Sequence, residues 1–136
     1  MAVIDASLYI ALINAHEPDH ARSWTWFECA KAAQEPIRAP VILLAEVAAA
    51  LSRGVGDLAL ARQVVLQLRH SRAVELVPVS LALAERAASI AADHRIRGCD
   101  AVYVALADQL GDCLVTLDEQ QLERGAATTL TRRPGE

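Results

Sequence analysis

Four carboxylates stand out because little around them would neutralise their charge. Asp5 ends the apolar run AVID, Glu46 sits inside VILLAEVAAAL, Asp100 opens DAVYVALADQL, and Asp118 closes CLVTLD. A carboxylate among apolar residues is costly to bury unless something pairs with it. On a helix, the neighbours of Glu46 three and four positions away are Ile42, Leu43, Ala49 and Ala50, none of them a cation. Arg53 lies two turns off, roughly 10 Å along the axis. The structural alternative for Glu46 is a side chain that reaches solvent or meets a distant arginine such as Arg38. Asp5 and Asp100 have the alternative of capping the helices that follow them, and Asp118 that of a turn residue. No lysine or arginine stands at a helical or strand offset expected to neutralise the set. Carboxylates brought together repel and raise one another's pKa unless a cation joins them. Oxygen donors without His or Cys suit Mg2+ or Mn2+ rather than Zn2+.

The elements that would position these acids alternate short apolar runs with longer helical ones, the pattern of an α/β chain with a parallel sheet. Ala2 to Asp5 reads as a strand. A helix from Ala6 to about Ala15 follows, then a second with Pro18 in its first turn, running to about Gln34. Ile37 to Ala39 reads as a brief strand, and Pro40 as the start of the helix carrying Glu46, which Gly54 and Gly56 stop. Asp57 caps LALARQVVLQLRH, Val74 to Val79 is a strand, and Ser80 caps a helix to about Arg95. Gly98 separates that helix from one opened by Asp100 and ended by Gly111. CLVTL is a strand, Glu119 to about Arg124 a short helix, and Ala127 to Leu130 a final strand. Ligands of open α/β sheets bind at the carboxyl ends of strands, near the point where strand order reverses. Asp5 and Asp118 follow two such ends, so adjacent strands would bring them together.

The other candidates are weaker. Asp108 lies eight residues past Asp100 on the same helix, roughly 12 Å away. Asp93, Asp112, Glu85 and Glu123 take positions expected on solvated faces. His16, His20, His70 and His94 are scattered. Cys29, Cys99 and Cys113 are widely spaced and without a C-x-x-C pair, so they suggest buried small residues rather than disulfides or a thiolate metal site. Trp24 and Phe27 share a helix face expected in the core, while Trp26 points elsewhere, toward a partner as its functional reading. Arg53, Arg95 and Arg97 are candidates for phosphate contacts, with ordinary surface roles as the alternative.

The 136 residues fit one domain over residues 1–136, and 54% hydrophobic content argues against disorder. Apolar runs are too short to span a bilayer, and the N-terminal stretch lacks a basic flank and carries Asp5, so a cytoplasmic protein is expected. A net charge of −4 argues against broad electrostatic binding of nucleic acid, though not against holding it through metal ions and a few arginines.

Taken with their flanks, VIDASLYIAL, APVILLAEVAAAL, RIRGCDAVYVALADQLG and CLVTLDEQQL resemble the PIN-domain ribonucleases, and among them the VapC-type toxins of prokaryotic toxin–antitoxin pairs. The resemblance covers essentially the whole chain. It implies a three-layer α/β/α sandwich with a short central parallel sheet, and a site in which Asp5, Glu46, Asp100 and Asp118 are catalytic and bind the metal. Asp118 matches the most variable position of that set. Ser7 and Thr116 match hydroxyl residues that order the site. The resemblance further implies Mg2+ or Mn2+, cleavage of RNA, a homodimer, and inhibition by a small VapB-like antitoxin. Its alternatives are an RNA-processing nuclease without an antitoxin and a non-catalytic PIN-like binding module. Two other families with an acid after a first strand fit poorly. Haloacid-dehalogenase-type phosphatases need a second acid where Ser7 stands, and receiver domains need a late lysine, whereas the only lysine is Lys31.

Overall fold

A computed structural model describes residues 1–136. The chain runs β1 (Ala2–Ile4), α1 (Ala6–Ile13), α2 (His20–Ala32), β2 (Ile37–Pro40), α3 (Leu43–Gly54), α4 (Leu58–Arg69), β3 (Glu75–Val77), α5 (Leu81–His94), α6 (Gly98–Leu110), β4 (Cys113–Val115), α7 (Glu119–Gly125) and β5 (Thr131–Arg132). The five strands form one sheet in the order β3-β2-β1-β4-β5, and every pairing is parallel. Helix α1 contacts both α2 and α3, and α3 contacts α4, while α5 and α7 both contact α6, which lies on β1, β2 and β4. This is the expected α/β/α architecture.

The central strands are short because each has only to cross the core. All three residues of β1 and all three of β4 are buried, as a parallel strand covered on both faces requires. Helix α6 is the core helix: Ala101, Tyr103, Val104, Ala105, Leu106 and Ala107 are all buried. Gly111 ends it in the left-handed region at φ 68°, a conformation glycine adopts at little steric cost. The chain passes from β1 to β2 and β3 on one side and returns to β4 and β5 on the other. The order therefore reverses between β1 and β4, and their register, Ala2 with Cys113 through Ile4 with Val115, sets Asp5 beside Thr116.

Several boundaries differ from expectation. Pro40 ends β2 instead of starting α3: it has no N–H to give, and the next residue, Val41, donates to the Val77 carbonyl at 2.9 Å. Pro18 precedes α2, whose cap position is Asp19. Gly98 is the first residue of α6 and not a separator; α5 already stops at Arg95, which takes φ 55°. Ala127 to Leu130 form a turn, and the last strand is Thr131–Arg132, paired with Leu114 and Val115. Asp112, expected on a solvated face, is buried and pairs with Arg38 at 3.1 Å. Of the cysteines only Cys113 is buried. The two tryptophans exchange their expected places, with Trp24 48% exposed and Trp26 against the core, while Phe27 lies against the core as expected.

Candidate metal centre

Asp5 leaves β1 at the switch point and immediately caps α1, accepting from Leu8 N at 3.1 Å. The capping alternative and a candidate site role are thus compatible in one side chain. Its Oδ1 also accepts from Ser7 Oγ at 2.7 Å, and its Oδ2 accepts from Thr116 Oγ1 at 2.5 Å and Gln121 Nε2 at 2.8 Å. With these donors from three elements, the carboxylate is buried and rotationally fixed. Burial is the dominant influence on its protonation: it pushes the carboxyl up to about 6, against the pull of Thr116, Ser7 and the Leu8 amide, with the Asp118 charge adding to the rise.

The turn after β4 supplies the next part. Thr116 Oγ1 accepts from Asp118 N at 3.0 Å while donating to Asp5, and Ser7 Oγ accepts from Leu117 N at 3.1 Å. The two hydroxyls therefore lace α1 to the β4 turn. Asp118 caps α7 through Gln121 N at 3.0 Å. Asp100 lies in the first turn of α6 and does not cap it; the cap position is Arg97. Asp100 Oδ1 accepts from Gln121 Nε2 at 3.3 Å, and Oδ2 accepts from Arg97 Nε at 2.9 Å. Burial raises the Asp100 carboxyl, and the Arg97 hydrogen bond and charge oppose that rise.

Glu46 is half-buried, and its partner is not Arg38 but a phenol: Tyr103 Oη donates to Oε1 at 2.5 Å. Arg38 instead pairs with Glu75 and Asp112. Helix α3 is amphipathic, burying Leu43, Val47 and Leu51, so Glu46 emerges at the margin of its apolar face. Burial, and then the hydrogen bond and charge of Glu46, push the Tyr103 phenol far up, so it stays a donor; Asp5 and Asp100 add smaller increments of the same sign. Tyr103 thereby ties Glu46 to α6, the helix that carries Asp100.

Gln121 thus links Asp5 to Asp100 and Arg97 links Asp100 to Asp118, while Tyr103 holds Glu46 to the helix that carries Asp100. Two participants, Gln121 and Tyr103, escaped sequence reasoning, and a third, Arg97, was read there only as a candidate phosphate contact. Gln121 is 2% exposed and bridges Asp5 and Asp100, yet its Oε1 has no partner. Tyr103 was indistinguishable from a core aromatic. Arg97 neutralises Asp100 from three residues before it and reaches Asp118 at 3.5 Å, which corrects the expectation that no cation stands at a neutralising offset. The i,i+3 spacing was the available signal.

The donor chemistry suits a hard divalent cation: carboxylate oxygens on separate elements, two of the carboxyls raised by burial, and one orphaned amide oxygen beside them. The acids are not closed into a cage, since no three His, Cys, Asp or Glu side chains converge on a point. Arg97 and the Gln121 amide take up carboxylate oxygens that a cation would otherwise claim. No helix is long and apolar enough to cross a membrane.

Solved structures share this fold over nearly the whole chain. The sarcin–ricin loop cleaving toxin VapC20 of Mycobacterium tuberculosis matches with a TM-score of 0.77 and 23% identity, covering 98% of this chain and 100% of that one. VapBC2 of Rickettsia felis, bound to a promoter DNA fragment, matches with a TM-score of 0.74 and 18% identity over 97% of each chain. A toxin–antitoxin complex of Klebsiella pneumoniae matches with a TM-score of 0.68 and 18% identity, over 100% of this chain and 99% of that one. No curated protein matches by sequence. The PIN domain model matches residues 2–127, and the acids at the carboxyl ends of β1 and β4 fall inside that match, so the chain belongs to the PIN domain family.

Proposed function

We propose that the chain is a divalent-metal-dependent endoribonuclease, the toxin of a type II toxin–antitoxin pair, acting in the cytoplasm. The observation that carries this reading is the linkage of Asp5, Asp100 and Asp118 through Gln121 and Arg97 at the switch point of the sheet, with Glu46 tied to the same helix as Asp100. Asp5, Asp100, Glu46 and Asp118 would hold Mg2+ or Mn2+. Such a cation, when bound, lowers the pKa of water and offsets the charge that develops on a phosphodiester under attack.

The chain's own contribution is positional. Ser7 and Thr116 fix both oxygens of Asp5, and Thr116 also fixes the turn bearing Asp118. Tyr103 holds Oε1 of Glu46 and leaves Oε2 without a protein donor. The reaction is hydrolysis: water adds to phosphorus, one P–O bond breaks, and a proton passes to the leaving oxygen. A net charge of −4 would repel RNA, so a cation is required for binding as well as chemistry.

The fold shared with toxin–antitoxin complexes supports the toxin assignment and a small antitoxin as partner, and the homodimer is carried over from the family resemblance alone. A small neighbouring reading frame encoding a DNA-binding protein would favour it over an RNA-processing nuclease without an antitoxin. The test is cleavage of a mixed RNA pool by the purified chain with Mg2+ or Mn2+. Cleavage is expected with either ion, lost with a chelator, and reduced at least about a hundredfold in Asp5→Asn. RNA left intact by a folded protein, together with unchanged thermal stability on adding metal, would overturn the reading.

A further inference from the structure

Arg97 is the only Lys or Arg that forms an ion pair with any of the four acids, and it pairs with two of them, Asp100 and Asp118. Nothing else holds it. Its side chain is 72% exposed, so no packing fixes its rotamer. It occupies the N-cap position of α6, the end of a helix where positive charge is least favoured. The guanidinium spans carboxylates from two segments, Nε to Asp100 and Nη2 to Asp118, instead of clasping one. A side chain held against a helix dipole by carboxylates alone is released when those carboxylates find another cation.

Asp100 would not be set free by that release. Its other oxygen stays on the Gln121 amide, which also holds Asp5, so the acids keep their spacing. The freed guanidinium would then project from the exposed start of α6 beside the site. A guanidinium there is suited to phosphate, which it grips with a planar pair of donors.

From this geometry we infer that Arg97 is an exchangeable counter-ion: it neutralises Asp100 and Asp118 in the cation-free site, is displaced by the incoming divalent ion, and then contacts a phosphate of the RNA. The inference rests on the proposed nuclease function. It makes Arg97 oppose metal binding while favouring substrate binding, a combination that a merely structural arginine does not produce.

Titration calorimetry of the 136-residue chain with Mn2+ alone tests the first half. Arg97→Gln is expected to bind Mn2+ roughly three- to tenfold more tightly than wild type, with Arg97→Lys in between. Circular dichroism should show both variants folded, because the side chain is exposed. With saturating Mn2+ and an RNA substrate, Arg97→Gln should raise KM about fivefold or more, by a larger factor than it lowers kcat. Wild type that binds Mn2+ alongside an Arg97→Gln variant that binds it no more tightly overturns the inference and leaves the nuclease reading intact. Tighter Mn2+ binding with an unchanged KM overturns the phosphate contact. Wild type that binds no Mn2+ overturns the metal-dependent reading itself, and this inference with it.

Discussion

Glu46 and Tyr103 pose the sharpest question at the scale of single residues, because the hydrogen bond between them separates structure from chemistry. Replacing Glu46 with Gln keeps an oxygen for Tyr103 Oη to donate to, so stability should change by less than about 1 kcal/mol. The charge is lost, however, and metal-dependent cleavage should fall at least about a hundredfold. Tyr103→Phe does the reverse: Glu46 keeps its charge but loses its orienting donor, and cleavage should fall about tenfold, the usual scale for a supporting partner of a metal ligand. Cleavage rates and urea midpoints for the two variants check both expectations, and a Glu46→Gln variant of normal activity would make that carboxylate structural. The acids themselves were legible in the sequence because a charge inside an apolar run is conspicuous. Tyr103 and Gln121 were not. A tyrosine in DAVYVALA looks like core, and a glutamine in EQQLERG looks like surface, until the fold turns each toward a carboxylate 57 or 116 positions away.

Among elements, the sheet carries acids for the site at its carboxyl end and an ion pair for cohesion at its other end. Arg38 enters at the second residue of β2 and reaches across to Asp112, which immediately precedes β4; β1 lies between those strands. The Asp112 side chain is 0% exposed, and Arg38 keeps Glu75 as a second partner. Asp112→Ala should therefore destabilise the fold by about 2–3 kcal/mol, below the cost of stranding a fully buried charge, because Arg38 retains some solvent and one carboxylate. Urea denaturation measures this, and a loss under about 0.5 kcal/mol would show the pair contributes nothing. Activity per folded molecule should persist. The buried strands were readable as short apolar runs, and the helices from their caps: Asp57 and Ser80 accept from Leu60 N and Leu83 N as expected. The last strand was misplaced because its position comes from pairing. Leu114 N donates to Leu130 O and Thr116 N to Arg132 O, contacts that no local pattern around Ala127 to Arg132 encodes.

For the whole molecule, the proposed metal binding would be coupled to stability through one buried carboxyl. Asp5 titrates near 6 in the folded chain and near 3.8 when unfolded, so between those values the folded state holds the extra proton. Stability then falls as pH rises through that window; the penalty is absent below about 3.8 and complete above about 6. A difference of about two pH units corresponds to roughly 3 kcal/mol at most. Asp100, also raised by burial, contributes with the same sign. Asp5→Asn removes the titrating group, so subtracting its urea-unfolding profile from that of wild type isolates the effect. In the absence of metal, wild type should lose about 1–3 kcal/mol relative to Asp5→Asn between pH 4 and pH 7. Mn2+ at a hundred times its dissociation constant should return about 2.7 kcal/mol to wild type at pH 7. The same addition should do little at pH 4, where protons occupy the carboxyl that the ion requires. Parallel profiles for the two proteins would show that burial of the ionised carboxylate carries no such penalty. Equal stabilisation by Mn2+ at both pH values would place the ion away from Asp5.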